Sequence, residues 1–275
     1  MATCYRHPHR ETRVSCSNCG RPICPECMVP TQVGMRCPEC AGSPRPLARV
    51  RARLDPTRPN ATYLLIALNV VAFFTEQGQF TLYGSSIHGT VIEEGILYRE
   101  AIAHGHQYWR LLTSAFLHEN ILHILFNMYL LYLVGRMIEP AIGSARLLAI
   151  YLTALLAGSC GALVATSAAS LGASGAIFGL MGAAAVEVRA RGFSVMESGI
   201  GGLIALNLLL SFLLPNISYG AHVGGLIGGL LAAWALRTAD RYRLLPLGYL
   251  ACLFLCAVAV AGAIAASRAT GSGIA

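Results

Sequence analysis

Lysine is absent from this chain. All twenty basic residues are arginine, and charged residues of both signs make up only 12% of the 275 positions. So sparse a charged complement, beside 55% hydrophobic residues and a mean hydropathy of +0.59, excludes a water-soluble domain of this length. What remains is an all-α polytopic membrane protein. The arginines fall before and between apolar runs rather than in one basic patch. They therefore read as topology determinants, and no nucleic-acid partner is expected despite the net charge of +7. Usage rich in Ala, Gly and Arg without lysine suits a GC-rich bacterial genome, and with it an inner or plasma membrane.

Residues 1–58 lack any apolar core long enough for a secretory signal, so the amino terminus is expected to stay in the cytosol. Paired internal repeats of interrupted helices and a relay of intramembrane carboxylates are also missing, which argues against a transporter.

What is present divides into zones. Residues 1–41 are expected to form a double metal-binding domain. Residues 42–59 form a linker rich in Arg and Pro, and residues 60–238 form a helical core. Residues 239–275 add one more membrane helix and a tail. Apolar segments near 61–77, 116–138, 145–166, 174–190, 198–214, 221–237 and 245–266 predict seven helices of about bilayer length. Five linker arginines (Arg45, Arg49, Arg51, Arg53 and Arg58) precede the first span. With the amino terminus inside, Arg136, Arg146, Arg189, Arg191, Arg237, Arg241 and Arg243 also fall on the cytoplasmic side. The stretch from Gln79 to Tyr108 is then external, a structured and partly embedded loop. Ser174, His222 and the start of the second membrane helix share the outer half.

Seven of the ten cysteines precede Ala41, and Cys160, Cys252 and Cys256 sit in apolar stretches as packing residues. The head has four ligand pairs: Cys4 with His7, Cys16 with Cys19, Cys24 with Cys27, and Cys37 with Cys40. Eight ligands at two-residue spacing suit two tetrahedral zinc sites, with His9 an alternative to His7. Disulfides are disfavoured in the cytosol, and iron is the other candidate. So short a segment depends on metal to fold.

In the membrane body, Gly172-Ala173-Ser174-Gly175 and Ala221-His222-Val223-Gly224-Gly225 place a hydroxyl and an imidazole where polar groups are costly. A serine is a weak nucleophile until a base takes its proton, and a histidine from another segment supplies that base. Taken alone, the first motif also suits a small-residue helix contact, and a lone histidine also suits metal binding, proton relay or a bond to a carbonyl. Gly225 and Gly229, four apart, give the sixth membrane helix a smooth face for close approach. His123 and Asn127, at i and i+4 in an apolar run, share one helical face, as oxyanion donors or as interhelical hydrogen-bonding groups. No carboxylate is in sight to complete a triad.

Trp109-Arg110, His118 with His123 and Asn127, the Ser174 motif, and the His222 motif with Gly229 together resemble the rhomboid family of intramembrane serine proteases. The resemblance runs over residues 60–237. It implies a six-helix rhomboid core followed by a seventh C-terminal helix, Leu245 to Ala266. It further implies Ser174 as nucleophile, His222 as general base and acid, and His123, Asn127 and the Ser174 amide around an oxyanion. Trp109 and Arg110 would belong to the external loop, and Glu139 and Gly143 to a structural element. Phe178 stands where many members carry a tyrosine packed on the catalytic histidine. The implied substrate is a single-span membrane protein whose helix unwinds near the outer face. The rival reading is an inactive member that binds client helices without cutting them. The head, Cys4 to Cys40, resembles a B-box-type zinc finger. That implies two structural Zn2+ ions held by cross-braced pairs, first with third and second with fourth, and suggests a cytosolic protein partner.

Overall fold

The computed structural model describes residues 2–31, 34–41, 59–75, 90–165, 168–214 and 217–269. The linker of residues 42–58 with its five arginines, and the first part of the external stretch, residues 79–89, lie outside them. By contact density the chain falls into two units, Met1–Asp55 and Pro56–Ala275.

The first unit is built from small turns. Strands β1 (Ala2–Thr3) and β2 (Glu11–Thr12) pair antiparallel, as do β3 (Val29–Thr31) and β4 (Gly34–Arg36), and a short helix α1 (Pro38–Ala41) follows. Its interior consists of Cys4, Cys16, Cys24, Cys27 and Cys37 around Ile23, so thiols occupy the place of an apolar core.

The second unit is a helical bundle. Helix α2 (Asn60–Thr75) is followed by two short helices, α3 (Thr90–Gly95) and α4 (Arg99–Ala103), within the stretch expected to form a loop, and by a third, α5 (Arg110–Thr113), just after it. Long helices complete it: α6 (Ile121–Ile142), α7 (Ser144–Ala165), α8 (Ser174–Ala190), α9 (Ile200–Leu213), α10 (Tyr219–Arg241) and α11 (Leu245–Ala269). Each of the seven predicted segments forms a helix. Among the described residues, α6, α7, α10 and α11 are long and apolar enough to cross a bilayer, while α2 and α9 are shorter apolar helices. The protein is a multi-pass membrane protein.

Helix α8 is the hub. Residues 175–184 are all buried, enclosed by α6, α7 and α10. Small residues permit this: a Cβ added at Gly225 would lie 2.0 Å from the Gly175 carbonyl oxygen, and one at Gly229 would lie 2.2 Å from Cα of Gly179. The backbones of α8 and α10 therefore touch directly, as small-residue seams between membrane helices allow.

Glu139, fully buried near the end of α6, organises the opposite end. Its carboxylate accepts from the Ala61 and Thr62 amides at 2.7 and 2.9 Å, from Thr62 Oγ1 at 2.6 Å and from Ser144 Oγ at 2.5 Å. One side chain thus caps the first turn of α2 and reaches the first residue of α7, satisfying N–H groups that a helix start leaves without partners. The same end carries the ion pairs Arg146–Asp240 and Arg237–Glu187, both 2.7 Å. Arg146 and Arg237, two of the arginines that the charge rule assigns to one side, thus lie at one end of the bundle.

Candidate functional site

At the other end, Gly172 sets up the start of α8. Its φ is +112°, a conformation open to glycine, and its amide donates to the Ser114 carbonyl at 2.9 Å. A Cβ there would lie 2.9 Å from Nε2 of His123 and 4.0 Å from Oγ of Ser174, so both groups border the space that the glycine leaves open. Ser174 is the first residue of α8, where helix N–H groups lack intrahelical acceptors and the macrodipole is positive.

His222, on the first turn of α10, is buried. Its Nε2 lies 2.7 Å from Ser174 Oγ. The Phe178 ring, one turn into α8, stacks on the imidazole at 4.4 Å between centroids and 23° between planes. The seam at Gly175 and Gly225 is what brings α10 close enough for these contacts. Nδ1 of His222 lies 2.5 Å from Oγ of Ser211 on α9, a neighbour that sequence reasoning missed. The signal was available: Asn207 and Ser211 stand at i and i+4 in an apolar run, the same spacing that drew attention to His123 and Asn127.

His123 and Asn127 project from α6 into the same cavity. Asn120 caps that helix, its side chain accepting from the His123 amide at 2.8 Å. The His123 Nδ1 stands 3.8 Å from Glu119 Oε1. Asn127 turns one amide hydrogen back to the His123 carbonyl at 2.9 Å, leaving its second for another acceptor. His118 is fully enclosed, edge to face with His123 at 5.0 Å, and does not line the cavity.

The cavity has a volume of about 510 Å³. Leu122, Phe126 and Leu130 of α6, Leu210 of α9 and Leu214 just after it supply apolar wall, and His123, Asn127, Ser174 and His222 supply the polar groups. Trp109 and Arg110 lie outside it and hold the loop. Arg110 Nη1 donates to the Glu93 and Ile96 carbonyls at 2.8 and 2.7 Å, its Nε to Gln107 at 2.5 Å, and the guanidinium covers the Tyr98 ring. The Trp109 indole donates to Glu94 at 3.1 Å. Leu97 in turn pairs with Ser170, four residues before Ser174, through two backbone bonds of 3.1 and 2.8 Å. Arg99 donates to the Leu163 carbonyl of α7 at 2.5 Å and to the Ala266 carbonyl of α11.

In the head, the four ligand pairs interleave. Cys4, His7, Cys24 and Cys27 form one cluster and Cys16, Cys19, Cys37 and Cys40 another, each with donor atoms within 4.8 Å of one another. His7 Nδ1 is 3.3 and 3.5 Å from the Cys24 and Cys27 sulfurs, and Cys19 and Cys37 sulfurs are 3.8 Å apart. Zinc–sulfur bonds of about 2.3 Å at tetrahedral angles give sulfur–sulfur edges of about 3.8 Å, so the donor sets fit a tetrahedral metal ion. His9 is exposed and outside both clusters, and no cysteine is disulfide-bonded. Burial raises the Cys4 thiol, but backbone N–H groups of Arg6, Cys24 and His7 outweigh it and bring the pKa down to about 6. Burial and the adjacent Cys4 and Cys24 thiols push Cys27 up to about 11. A metal ion binding there displaces protons.

Residues 105–239 match the Rhomboid domain family. The chain is 40% identical over 182 residues to Rhomboid protease GluP of Bacillus subtilis (strain 168), covering 65% of this chain and 35% of that protein. It is 33% identical over 174 residues to RHOMBOID-like protein 1 of Arabidopsis thaliana, covering 59% of this chain and 44% of that protein. YdcA of Bacillus subtilis (strain 168) is 35% identical over 142 residues, which are 50% of this chain and 71% of that protein. The match thus spans less than half the length of the first two.

Proposed function

Because the chain belongs to the rhomboid family, we propose that it is an intramembrane serine endopeptidase that cuts transmembrane segments of other membrane proteins. The observation that carries this reading is the 2.7 Å approach of His222 Nε2 to Ser174 Oγ, between helices that start 45 residues apart in sequence. Ser174 attacks the scissile carbonyl as His222 takes its proton, and His222 then returns that proton to the leaving amine. Water hydrolyses the acyl-enzyme by the same route reversed. The oxyanion faces His123, the free amide hydrogen of Asn127 and the N–H of Ser174 at the head of α8, donors in a site shielded from bulk water.

The short span of α8 supports a site beneath the outer face. With Arg189 and Arg191 at the cytosolic boundary, its 17 residues rise about 25 Å, several ångströms short of a hydrocarbon core of roughly 30 Å. A substrate helix must unwind there, since regular backbone hydrogen bonds shield its carbonyls. The cavity walls from α6 and α9 suit an extended, mostly apolar segment. The substrates are single-span membrane proteins in the lipid bilayer.

In the head, Zn2+ is held in two structural sites, by Cys4, His7, Cys24 and Cys27 and by Cys16, Cys19, Cys37 and Cys40. Both sets are closed, which leaves recognition of a cytosolic protein as their role rather than chemistry. The amino terminus is cytoplasmic.

The decisive experiment is cleavage of a model transmembrane substrate by purified protein in liposomes, with a fluorophosphonate probe for reactive serine. Ser174→Ala and His222→Ala should each abolish turnover while folding and inserting normally. Undiminished turnover in either variant refutes the dyad. Unlabelled and inactive wild-type protein would favour the client-binding reading.

A further inference from the structure

A serine hydroxyl carries one hydrogen, and the one on Ser211 has a definite destination. Its Oγ lies 2.6 Å from the carbonyl of Asn207, one turn earlier on α9. A carbonyl can only accept, so the hydrogen points there and Oγ faces His222 as an acceptor. Across the 2.5 Å contact, the hydrogen therefore belongs to Nδ1 of His222. Nε2, 2.7 Å from Ser174 Oγ, then presents a lone pair. That is the tautomer a general base needs.

Resting on the proposed roles of Ser174 and His222, we infer that Ser211 is a positioning residue that locks His222 in the Nδ1–H tautomer. With the Asn207 carbonyl behind it, Ser211 takes the place that a carboxylate holds in a Ser-His-Asp triad. The chain runs from Ser174 O–H to His222, from His222 N–H to Ser211, and from Ser211 O–H to a backbone carbonyl. Each bond polarises the next, and the imidazolium formed during attack keeps an acceptor at Nδ1.

A neutral acceptor suits this location. An ionised carboxylate enclosed among apolar helices is costly to desolvate unless it is fully paired, whereas a helical serine already bonded to its own helix is not. The burial pattern of α9 points the same way: its buried residues are Ile200, Asn207 and Ser211 alone, and the rest of this apolar helix is open or half-open. Two polar groups are thus turned inward on a helix that is otherwise leucine-rich, and one of them meets the imidazole.

The test uses full-length protein in liposomes and 15N-histidine NMR on the same protein in detergent. Ser211→Ala should lower kcat roughly ten- to a hundredfold, the scale of a lost hydrogen bond to a charged group, with KM changed less than about twofold. The His222 resonances should move from a protonated Nδ1 with bare Nε2 toward a mixture of tautomers. Ser211→Thr keeps a hydroxyl able to bond the i−4 carbonyl and should restore most of kcat. Unchanged kcat in Ser211→Ala, a fall in kcat without any tautomer change, or equal losses in the Ala and Thr variants would each overturn the assignment. If Ser174→Ala retains turnover, the dyad itself fails. If Ser174→Ala is dead and Ser211→Ala is not, only the role of Ser211 falls.

Discussion

The rings of Phe178 and His222 lie nearly parallel, 23° apart with centroids at 4.4 Å. One turn of α8 separates Phe178 from Ser174, so a single helical face presents both the hydroxyl and the surface that holds the imidazole against it. The phenyl ring performs this by stacking, without a hydroxyl. Such aromatic contacts contribute about 0.5–1.5 kcal/mol beyond simple burial. Phe178→Leu, which keeps most of the volume and removes the ring, should lower kcat about two- to twelvefold. Phe178→Tyr should stay within about twofold of wild type. A Leu variant with full kcat would show that the stack has no part in orienting His222.

The seam between α8 and α10 makes a second prediction. A methyl group at Gly225 would overlap the Gly175 carbonyl, with 2.0 Å between Cβ and oxygen, and backbone cannot turn aside as a side chain can. The helices must part by about 1 Å, and a displacement of that size at reacting atoms costs on the order of a hundredfold in rate. Gly225→Ala should therefore lose about two orders of magnitude in kcat. Gly202 on α9 faces open space, so Gly202→Ala serves as the control and should cut at the wild-type rate. Similar rates for the two variants would mean that the seam tolerates expansion.

Arg110 is the clamp of the loop, since its guanidinium gathers the Glu93 and Ile96 carbonyls and covers Tyr98. Lysine cannot reproduce this fork. Arg110→Lys should loosen residues 93–97 and, through the Leu97–Ser170 pair, the strand-like approach to Gly172. Hydrogen exchange at the Leu97 and Ser170 amides should rise by at least about tenfold, the equivalent of one lost charge-assisted bond. Protection equal to wild type would assign the loop's order to other contacts.

Much of this arrangement was legible in the chain because its chemistry sits at conspicuous places. Ser174 and His222 stand among glycines at the heads of apolar runs, and the cysteine pairs repeat at one spacing. Helix ends were less legible. The second apolar segment was expected from residue 116, yet residues Ser114–Phe116 form a 3-10 turn, and α6 begins only after Asn120 can cap it. It then runs on past Pro140, because Glu139 is held by α2 and α7 and the helix stops at Gly143 with φ of +84°. Ser211 was hidden for a different reason. A serine in a leucine-rich helix commonly bonds its own i−4 carbonyl, so its i, i+4 spacing with Asn207 marks a polar stripe without telling that an imidazole from a distant helix reaches it.

Glu139 joins three helices through four hydrogen bonds, and its loss would leave the Ala61 and Thr62 amides without acceptors at the start of α2. Glu139→Ala should destabilise the bundle by about 2–4 kcal/mol, read as a lower unfolding midpoint in a thermal or SDS titration. Glu139→Gln keeps one acceptor oxygen and should fall between. Since the site lies at the opposite end of α8 and α10, folded protein of either variant should cut at a near-normal rate. A selective loss of kcat in fully folded Glu139→Gln would contradict this division of labour.

The head offers the cleanest separation of metal from fold, because its interior holds five cysteines and one isoleucine. Burying a single isoleucine contributes about 1.5–3 kcal/mol, far below the conformational entropy of ordering some forty residues at 1–2 kcal/mol each. An apolar core this small cannot hold the fold by itself, so metal ligation must do so, as in small domains that fold only with metal bound. Purified full-length protein should contain about two zinc ions per chain by elemental analysis. Cys24→Ser and Cys16→Ser, one from each cluster, should each bring that to about one if the clusters fill independently. Strong chelation should remove both ions and abolish hydrogen-exchange protection across residues 2–31 while leaving α6 to α10 protected. A head that stays protected after both metals are gone would mean that thiol packing alone can hold it, against the energetics set out here.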